Sequence, residues 1–286
     1  MKDAARLLIY FAATLLFGAL IAPLLYWTAH RFGVLTQFDF GTFFHRALLI
    51  GALIFFWPLF RSLGINSWRE LALRENPHRM RDVVIGFAAA AIPLLCFGGL
   101  IIGLGIYQLR DSISFMAIAG RSVSALIVPL IEEPLFRGLI LGVLLRASSR
   151  NVAVFFTSAL FAILHFLKAP EKTSSVVHWN SGFLSIANSF SQFADPLLLA
   201  AGFTTLFLLG WILADARIRT RSLWLPIGLH AGWIFSSALF NKIAHREVEA
   251  LPWLGKSLLI GLAPLAVALV TWALITLWLK HEHRAA

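Results

Sequence analysis

Long apolar segments separated by short polar ones make up most of the chain. Each segment has roughly 17 to 25 residues, enough to cross about 30 Å of hydrocarbon as a helix rising 1.5 Å per residue. The segments are Leu7 to Thr28, Phe43 to Phe60, Val83 to Tyr107, Ser122 to Leu145, Asn151 to Leu167, Pro196 to Ala214, Ser222 to Asn241 and Ser257 to Leu279. The pattern predicts an all-α polytopic membrane protein of about eight transmembrane helices.

The composition agrees with this class of protein. Hydrophobic residues make up 59% of the 286 residues and charged residues only 13%, whereas soluble domains are about 45–50% apolar. We find no internal repeat and no linker. We therefore predict one membrane domain over residues 1–286.

The net charge is +10, which in a soluble chain would suggest a nucleic-acid partner. Here most Lys and Arg residues lie at the two ends of the chain and in the loops after even-numbered helices, as the positive-inside rule requires of cytoplasmic segments. We therefore predict that both termini are cytoplasmic. The expected partners are therefore membrane lipids, with no nucleic acid.

Two segments outside the predicted spans also carry a pattern. Ile65 to Arg81 places apolar residues on one helical stripe among several arginines, which is typical of a helix lying on the membrane face. Lys168 to Asp195 is too long for a simple turn, and Phe183, Ile186 and Phe190 in it fall at helical spacing. We predict a cytoplasmic surface helix in the first segment and a surface helix or a re-entrant gate in the second.

Three charged residues lie inside the fourth predicted span. Burying each of Glu132, Glu133 and Arg137 costs about 2.5–3.5 kcal/mol, so their presence requires compensation or a function. Glu133 and Arg137 are four residues apart and can form an ion pair on one helix face. This leaves Glu132 as a second carboxylate that can hold and deprotonate a water. Pro134 is expected to loosen the backbone beside them.

His165 and His230 are the histidines of the predicted fifth and seventh spans. A single histidine in such a place is more often a packing residue. However, the helical rise places Glu132 and His165 at the same depth, about 21 Å from the cytoplasmic edge, and His230 within one or two turns. One glutamate and two histidines can bind a divalent metal such as zinc, or can activate water without a metal. Both alternatives stay open.

Three motifs follow one another in this region: EEPLFR at 132–137, FAILH at 161–165 and LHAGW at 229–233. They resemble the EExxxR, FxxxH and HxxxN motifs of the CPBP family, which includes type II CAAX prenyl endopeptidases and bacterial bacteriocin-processing and self-immunity proteins. The resemblance covers a core region at 121–241. It implies an eight-helix fold with a polar intramembrane site in a bacterial-type plasma membrane. The implied activity is endopeptidase cleavage of a membrane-associated or lipidated substrate, so the resemblance also implies a peptide or protein substrate at the membrane as a partner.

The resemblance also implies roles for the motif residues. Glu132 and His165 would activate the attacking water, and Glu133 and Arg137 would support the site. His230 would stabilise the oxyanion. If a metal is bound, Glu132, His165 and His230 would be its ligands.

The third motif departs from the family pattern, because Ile234 occupies the position of its asparagine. Trp233 and Ser237 lie on the same helix face as His230 and could supply the missing donor. An alternative is a non-catalytic scaffold or immunity protein of the same fold. Another is a proton-coupled transporter, since buried Glu, Arg and His also form proton relays, although we find no inverted repeat. The sequence contains no HExxH or GxSG motif and no mid-span aspartate for other intramembrane proteases.

Overall fold

The structure, a computed structural model, describes residues 2–65, 67–73, 76–113, 115–166, 176–190, 193, 195–246, 252–255 and 258–285. Its α-helices are α1 Lys2–Arg31, α2 Phe40–Ser62, α3 Arg79–Gly103, α4 Phe115–Glu133, α5 Leu141–Ala147, α6 Arg150–Phe166, α7 Ser181–Ser189, α8 Pro196–Thr220, α9 Trp224–Ile243 and α10 Leu262–Ala285. The other elements are a 3₁₀ turn at Trp68–Leu71, a π-helical segment at Pro134–Ile140, and the strands β1 Tyr107–Leu109 and β2 Ala244–Arg246.

Five helices in the described part of the chain are long and apolar enough to cross a membrane. They are Ala5–Arg31, Phe40–Ser62, Arg79–Gly103, Leu199–Thr220 and Leu262–Glu282. These match the first, second, third, sixth and eighth predicted spans and confirm a helical chain with apolar spans. The count of about eight spans stays a prediction. The helix of the eighth predicted span, α10, begins at Leu262 rather than Ser257, after Gly261 with its φ of 133°.

The fourth predicted span, Ser122 to Leu145, is interrupted. α4 ends at Glu133, and the backbone is π-helical until α5 begins. Pro134 has no N–H to give to the preceding turn, so the hydrogen-bond ladder must change there. The N–H of Leu141 donates to the carbonyl of Phe136, which is the i→i−5 bond of a π-helix. The expected loosening at Pro134 is therefore confirmed.

The third predicted span ends too late. Its helix stops at Gly103, and Gly105 turns the chain with a φ of 72°. Tyr107 then begins β1, which pairs antiparallel with β2, with Tyr107 opposite Arg246. An apolar run does not show where a helix gives way to a strand, so this small sheet was not predicted.

The first of two compact units comprises Met1–Asn66 and Leu164–Asp195. α1 and α2 form an antiparallel hairpin, and α7 packs on it so closely that a Cβ at Gly182 would overlap the backbone of Ala19. α7 confirms the helix predicted within Lys168 to Asp195, although residues 167–175 lie outside the described part. The single domain over residues 1–286 stays a prediction.

The second unit comprises Ser67–Ile163 and Pro196–Ala286. Its closest helix pair is α3 with α9. A Cβ at Gly86 would lie 2.6 Å from the Leu225 carbonyl oxygen, and one at Gly232 would lie 2.5 Å from that of Phe87. Small residues allow membrane helices to approach this closely. The crossing fixes the part of α9 that carries His230.

The segment Ile65 to Arg81 does not form the predicted surface helix in its described residues. It forms the 3₁₀ turn, and Leu71 is fully buried. The Leu71 carbonyl oxygen would lie 2.9 Å from a Cβ at Gly138 in the π-helical segment. The carbonyl of Ala72 accepts the N–H of Leu223, next to the start of α9. The prediction was wrong because the arginines favoured a helix on the membrane face, whereas the buried side chain of Leu71 holds the turn inside the unit.

Candidate active site

The second unit brings together Glu132, Glu133, Arg137 and His230. The two glutamates are the last residues of α4, the arginine lies in the π-helical segment, and the histidine lies in the middle of α9. Helix α4 packs against α9, which places these side chains beside one another. Four of the five residues predicted from the sequence thus form one cluster.

Glu133 and Arg137 form the ion pair expected from their spacing. Nη1 of Arg137 donates to Oε1 of Glu133 at 2.9 Å, and both side chains have no solvent exposure. Nη2 of Arg137 also donates to the carbonyl of Gly210 in α8 at 3.4 Å. A buried charge pair of this kind needs further hydrogen bonds to offset its desolvation. The pair therefore ties the π-helical segment to α8.

His230 uses the same carboxylate oxygen. Its Nδ1 lies 2.7 Å from Oε1 of Glu133. An ionised carboxylate only accepts hydrogen bonds, so Nδ1 must carry the proton that is shared with it. The other ring nitrogen, Nε2, then faces Oε2 of Glu132 across 3.9 Å. Glu133 thereby sets the orientation of the imidazole and directs Nε2 toward the second carboxylate.

The two glutamates lie in different environments. The Glu133 side chain is fully buried and holds two partners, whereas the Glu132 side chain is 25% exposed. Both partners of Glu133 bind its Oε1, in a side chain that water does not reach, whereas a partly exposed carboxylate can exchange a proton with a water. The two carboxylates therefore differ in their access to water.

Phe161 contributes an aromatic face to this cluster. The guanidinium carbon of Arg137 lies 4.2 Å from the centroid of its ring. The ring also makes edge contacts with His230, at 5.8 Å and 75°, and with Phe136, at 5.2 Å and 84°. From the sequence, Phe161 was noted only as a letter of the FxxxH motif. Its position one helical turn before His165 was the only sign in the sequence that Phe161 belongs to the site.

His165 lies in the last turn of α6, one turn after Phe161. Residues four apart share a helix face, so His165 lies on the face of α6 that carries Phe161. The boundary between the two compact units falls between Ile163 and Leu164. His165 therefore belongs to the first unit, whereas the four clustered residues belong to the second.

Ile234 follows His230 by one turn of α9, at the position of the motif asparagine. Its side chain is half-buried. The neighbouring candidates for an oxyanion donor, Trp233 and Ser237, are buried, with 2% and 7% exposure. Ile234 itself offers no polar group on this face.

The donor set can be compared with that of a metal centre. Catalytic zinc sites often use two histidines and one glutamate and keep a position for water. Nε2 of His230 and Oε2 of Glu132, 3.9 Å apart, are donors of this type, and a carboxylate such as Glu133 commonly orients a metal-bound imidazole. Glu132 and His230 therefore fit two ligand positions of a divalent metal, and such an ion would make its bound water a nucleophile.

The region that carries the three motifs also matches a known family. Residues 114–236 match the family model described as type II CAAX prenyl endopeptidase Rce1-like. Neither curated protein sequences nor solved structures give a match to the chain. The matched residues include Glu132, Glu133, Arg137, His165 and His230. Residues 114–236 thus match an Rce1-like domain, the domain of a protease family, which confirms the resemblance drawn from the motifs.

Proposed function

We propose that the protein is an intramembrane endopeptidase that hydrolyses a peptide bond of a membrane-associated or lipidated substrate. The Rce1-like domain supports peptidase chemistry, and the apolar helices support a membrane setting. One observation carries the assignment of roles. Glu133 already binds Arg137 and His230. Oε2 of Glu132, whose side chain is 25% exposed, faces Nε2 of His230 at 3.9 Å.

In the proposed reaction, Glu132 is the general base. It takes a proton from a water as the water oxygen attacks the scissile carbonyl carbon, and His165 accepts the second hydrogen bond of that water. The carbonyl becomes a tetrahedral oxyanion. The proton then passes to the amide nitrogen and the carbon–nitrogen bond breaks, leaving a new carboxyl group and a new amine. Burial of the site keeps its charges strongly coupled.

The role of His230 depends on whether Nε2 carries a proton. With a proton on both nitrogens, Nε2 donates to the oxyanion while Nδ1 stays on Glu133. Without a proton on Nε2, its lone pair is available to a metal ion. Arg137 balances the charge of Glu133 in either case. The orientation of the imidazole thus serves both the metal-free and the metal-dependent alternatives.

The test is cleavage of a membrane-peptide library by purified protein in lipid. Wild type is compared with Glu132→Gln and His165→Ala, each with and without a chelator. Glu70→Gln and His178→Ala, whose side chains are exposed, are the matched controls. We expect cleavage by wild type and both controls and none by the two site variants. Loss of cleavage with chelator would assign the metal-dependent alternative.

A non-catalytic scaffold or immunity protein of the same fold is the second candidate, because Ile234 lacks a polar group at the asparagine position. In that case wild type would be as inert as Glu132→Gln across the library. The four-residue cluster would then serve stability alone. Glu133→Gln would lower the free energy of unfolding, and neither wild type nor the variant would show turnover.

We also propose that both termini face the cytoplasm. The proposal rests on the distribution of Lys and Arg along the chain. Reporter fusions at each end measure this directly, since a phosphatase is active only outside the cytoplasm and a fluorescent protein folds best inside it. An active phosphatase at either end would reverse the orientation.

A further inference from the structure

Arg137 is a buried cation whose hydrogen bonds are incomplete. Nη1 donates to Glu133 at 2.9 Å and Nη2 reaches Gly210 at 3.4 Å, which is long for such a bond. Nε is buried and has no hydrogen-bond partner in the part of the chain that the structure describes. An unpaired donor on a fully buried charge is costly. Something other than hydrogen bonds must therefore help to hold the guanidinium.

The ring of Phe161 meets this need. The guanidinium carbon lies 4.2 Å from the ring centroid, well within the distance at which an aromatic face attracts a cation, and the attraction is stronger when both groups are desolvated. Phe161 is 2% exposed and Arg137 is fully buried. The ring of Phe136 is also near Arg137, but at 5.6 Å.

Phe161 is itself held in a fixed orientation. Phe136 meets it at 84° with ring centroids 5.2 Å apart, and His230 meets it at 75° and 5.8 Å. Edge-to-face pairs of this kind favour one arrangement of the rings. One aromatic ring therefore contacts Arg137 on its face and the imidazole of His230 at an inclined angle, while both of those residues bind the same oxygen of Glu133.

We propose that Phe161 is a positioning residue of the site. Its ring fixes the plane of the Arg137 guanidinium so that Nη1 stays on Oε1 of Glu133, and that oxygen in turn fixes Nδ1 of His230. The proposal concerns the geometry of this chain of contacts. Only its effect on reaction rate rests on the proposed endopeptidase function.

The kinetic test compares Phe161→Leu, which keeps an apolar side chain but removes the aromatic face, with Phe161→Tyr, which keeps the face. We expect kcat to fall roughly tenfold in the leucine variant, the scale of one cation–π contact. KM should stay unchanged, and tyrosine should restore most of the rate. Phe156→Leu is the matched control, because Phe156 lies on the helix of Phe161 but is exposed and its ring contacts Phe155. Equal losses in the leucine and tyrosine variants would overturn the proposal.

A second readout does not depend on cleavage. With ¹⁵N-labelled arginine in lipid nanodiscs, the Arg137 side-chain N–H signal is identified by its loss in Arg137→Lys. We expect this signal to be shielded by the ring and slow to exchange in wild type and Phe161→Tyr. In Phe161→Leu it should lose the shielding and exchange faster. An unchanged signal in Phe161→Leu would overturn the proposal, whereas an inert wild type with the expected signals would overturn the endopeptidase function alone.

Discussion

Nδ1 of His230 lies 2.7 Å from Oε1 of Glu133, a carboxylate without solvent exposure. The same oxygen accepts Nη1 of Arg137 at 2.9 Å. One atom thus holds a cation from the π-helical segment and an imidazole from α9. Because both contacts depend on the negative charge of this oxygen, the cluster should respond strongly to its neutralisation.

Glu133→Gln tests this dependence. The change leaves the Arg137 guanidinium buried without its counter-charge, which typically costs about 3–5 kcal/mol. We expect the free energy of unfolding to fall by about that amount and cleavage to be lost. Thermal unfolding in detergent micelles and the library assay measure the two effects.

A double variant separates the two effects. Glu133→Gln with Arg137→Met removes both charges and leaves an apolar side chain of similar length, so stability should recover in large part. Cleavage should stay absent because His230 has lost its oriented partner. A single Glu133→Gln variant as stable as wild type would contradict the buried ion pair.

The approach of α9 to α3 gives a second prediction. A Cβ at Gly232 would lie 2.5 Å from the carbonyl oxygen of Phe87 and 2.9 Å from Cβ of Ala90. Gly232→Ala should therefore separate the helices, cost about 1–3 kcal/mol and reduce kcat by displacing His230. Thermal unfolding in detergent micelles measures the loss of stability, and the library assay measures kcat.

Gly99→Ala is the control for this change. Gly99 lies in α3, and nothing comes within 4 Å of the position of its Cβ. Alanine there should be neutral, or stabilising by up to about 1 kcal/mol through its helix propensity. Equal behaviour of the two variants would show that the crossing tolerates a methyl group and would contradict the close approach.

The fold was predictable where an apolar run coincides with one helix, as in α1 and α2. Hydropathy alone did not predict where local backbone chemistry interrupts a run, although the loosening at Pro134 was expected from its missing N–H. Gly105 ends the third segment before Tyr107 enters a strand, and Pro134 changes the hydrogen-bond ladder inside the fourth. Hydropathy averages over such single residues, so it recorded neither event.

The candidate site was predictable in part because charge in an apolar run is costly and therefore conspicuous. That argument identified Glu132, Glu133 and Arg137, and the spacing of four predicted their ion pair. It could not reveal which glutamate would also bind His230, since that depends on how α4 packs against α9. The contact of Phe161 with Arg137 was invisible for a related reason, because one phenylalanine among 25 has no distinguishing pattern.

Asp215 gives a prediction outside the site. It is 7% exposed. Its carboxylate accepts hydrogen bonds from Nη2 of Arg150 at 2.7 Å and from the indole N–H of Trp272 at 3.1 Å. It also forms an ion pair with Arg219 at 2.8 Å. The carboxylate thus connects α6, α8 and α10. We expect Asp215→Asn to lower the free energy of unfolding by about 1–3 kcal/mol, measured by thermal unfolding, with kcat of the folded protein unchanged.

Asp111→Asn is the matched control, because Asp111 is exposed. Its unfolding should match that of wild type within about 0.5 kcal/mol, as expected for a surface change. If Asp215→Asn also leaves the free energy of unfolding unchanged, the three contacts contribute nothing to stability. The connection between the helices must then be attributed to apolar packing.

Ile234→Asn restores the residue of the family motif one turn after His230. One oxyanion donor is worth about 10²–10³ in kcat, so an asparagine amide that reaches the oxyanion should raise kcat at least about tenfold in the library assay. Ile234→Leu controls for the change in packing and should leave kcat near the wild-type value.

A gain with asparagine alone would mean that the donor is absent in wild type. An unchanged kcat would instead indicate that Trp233 or Ser237 already supplies the donor. Replacement of that residue in the Ile234→Asn background would then reveal it as a loss of kcat. A lower kcat with asparagine would contradict an oxyanion at this face of α9, and with it the role proposed for His230.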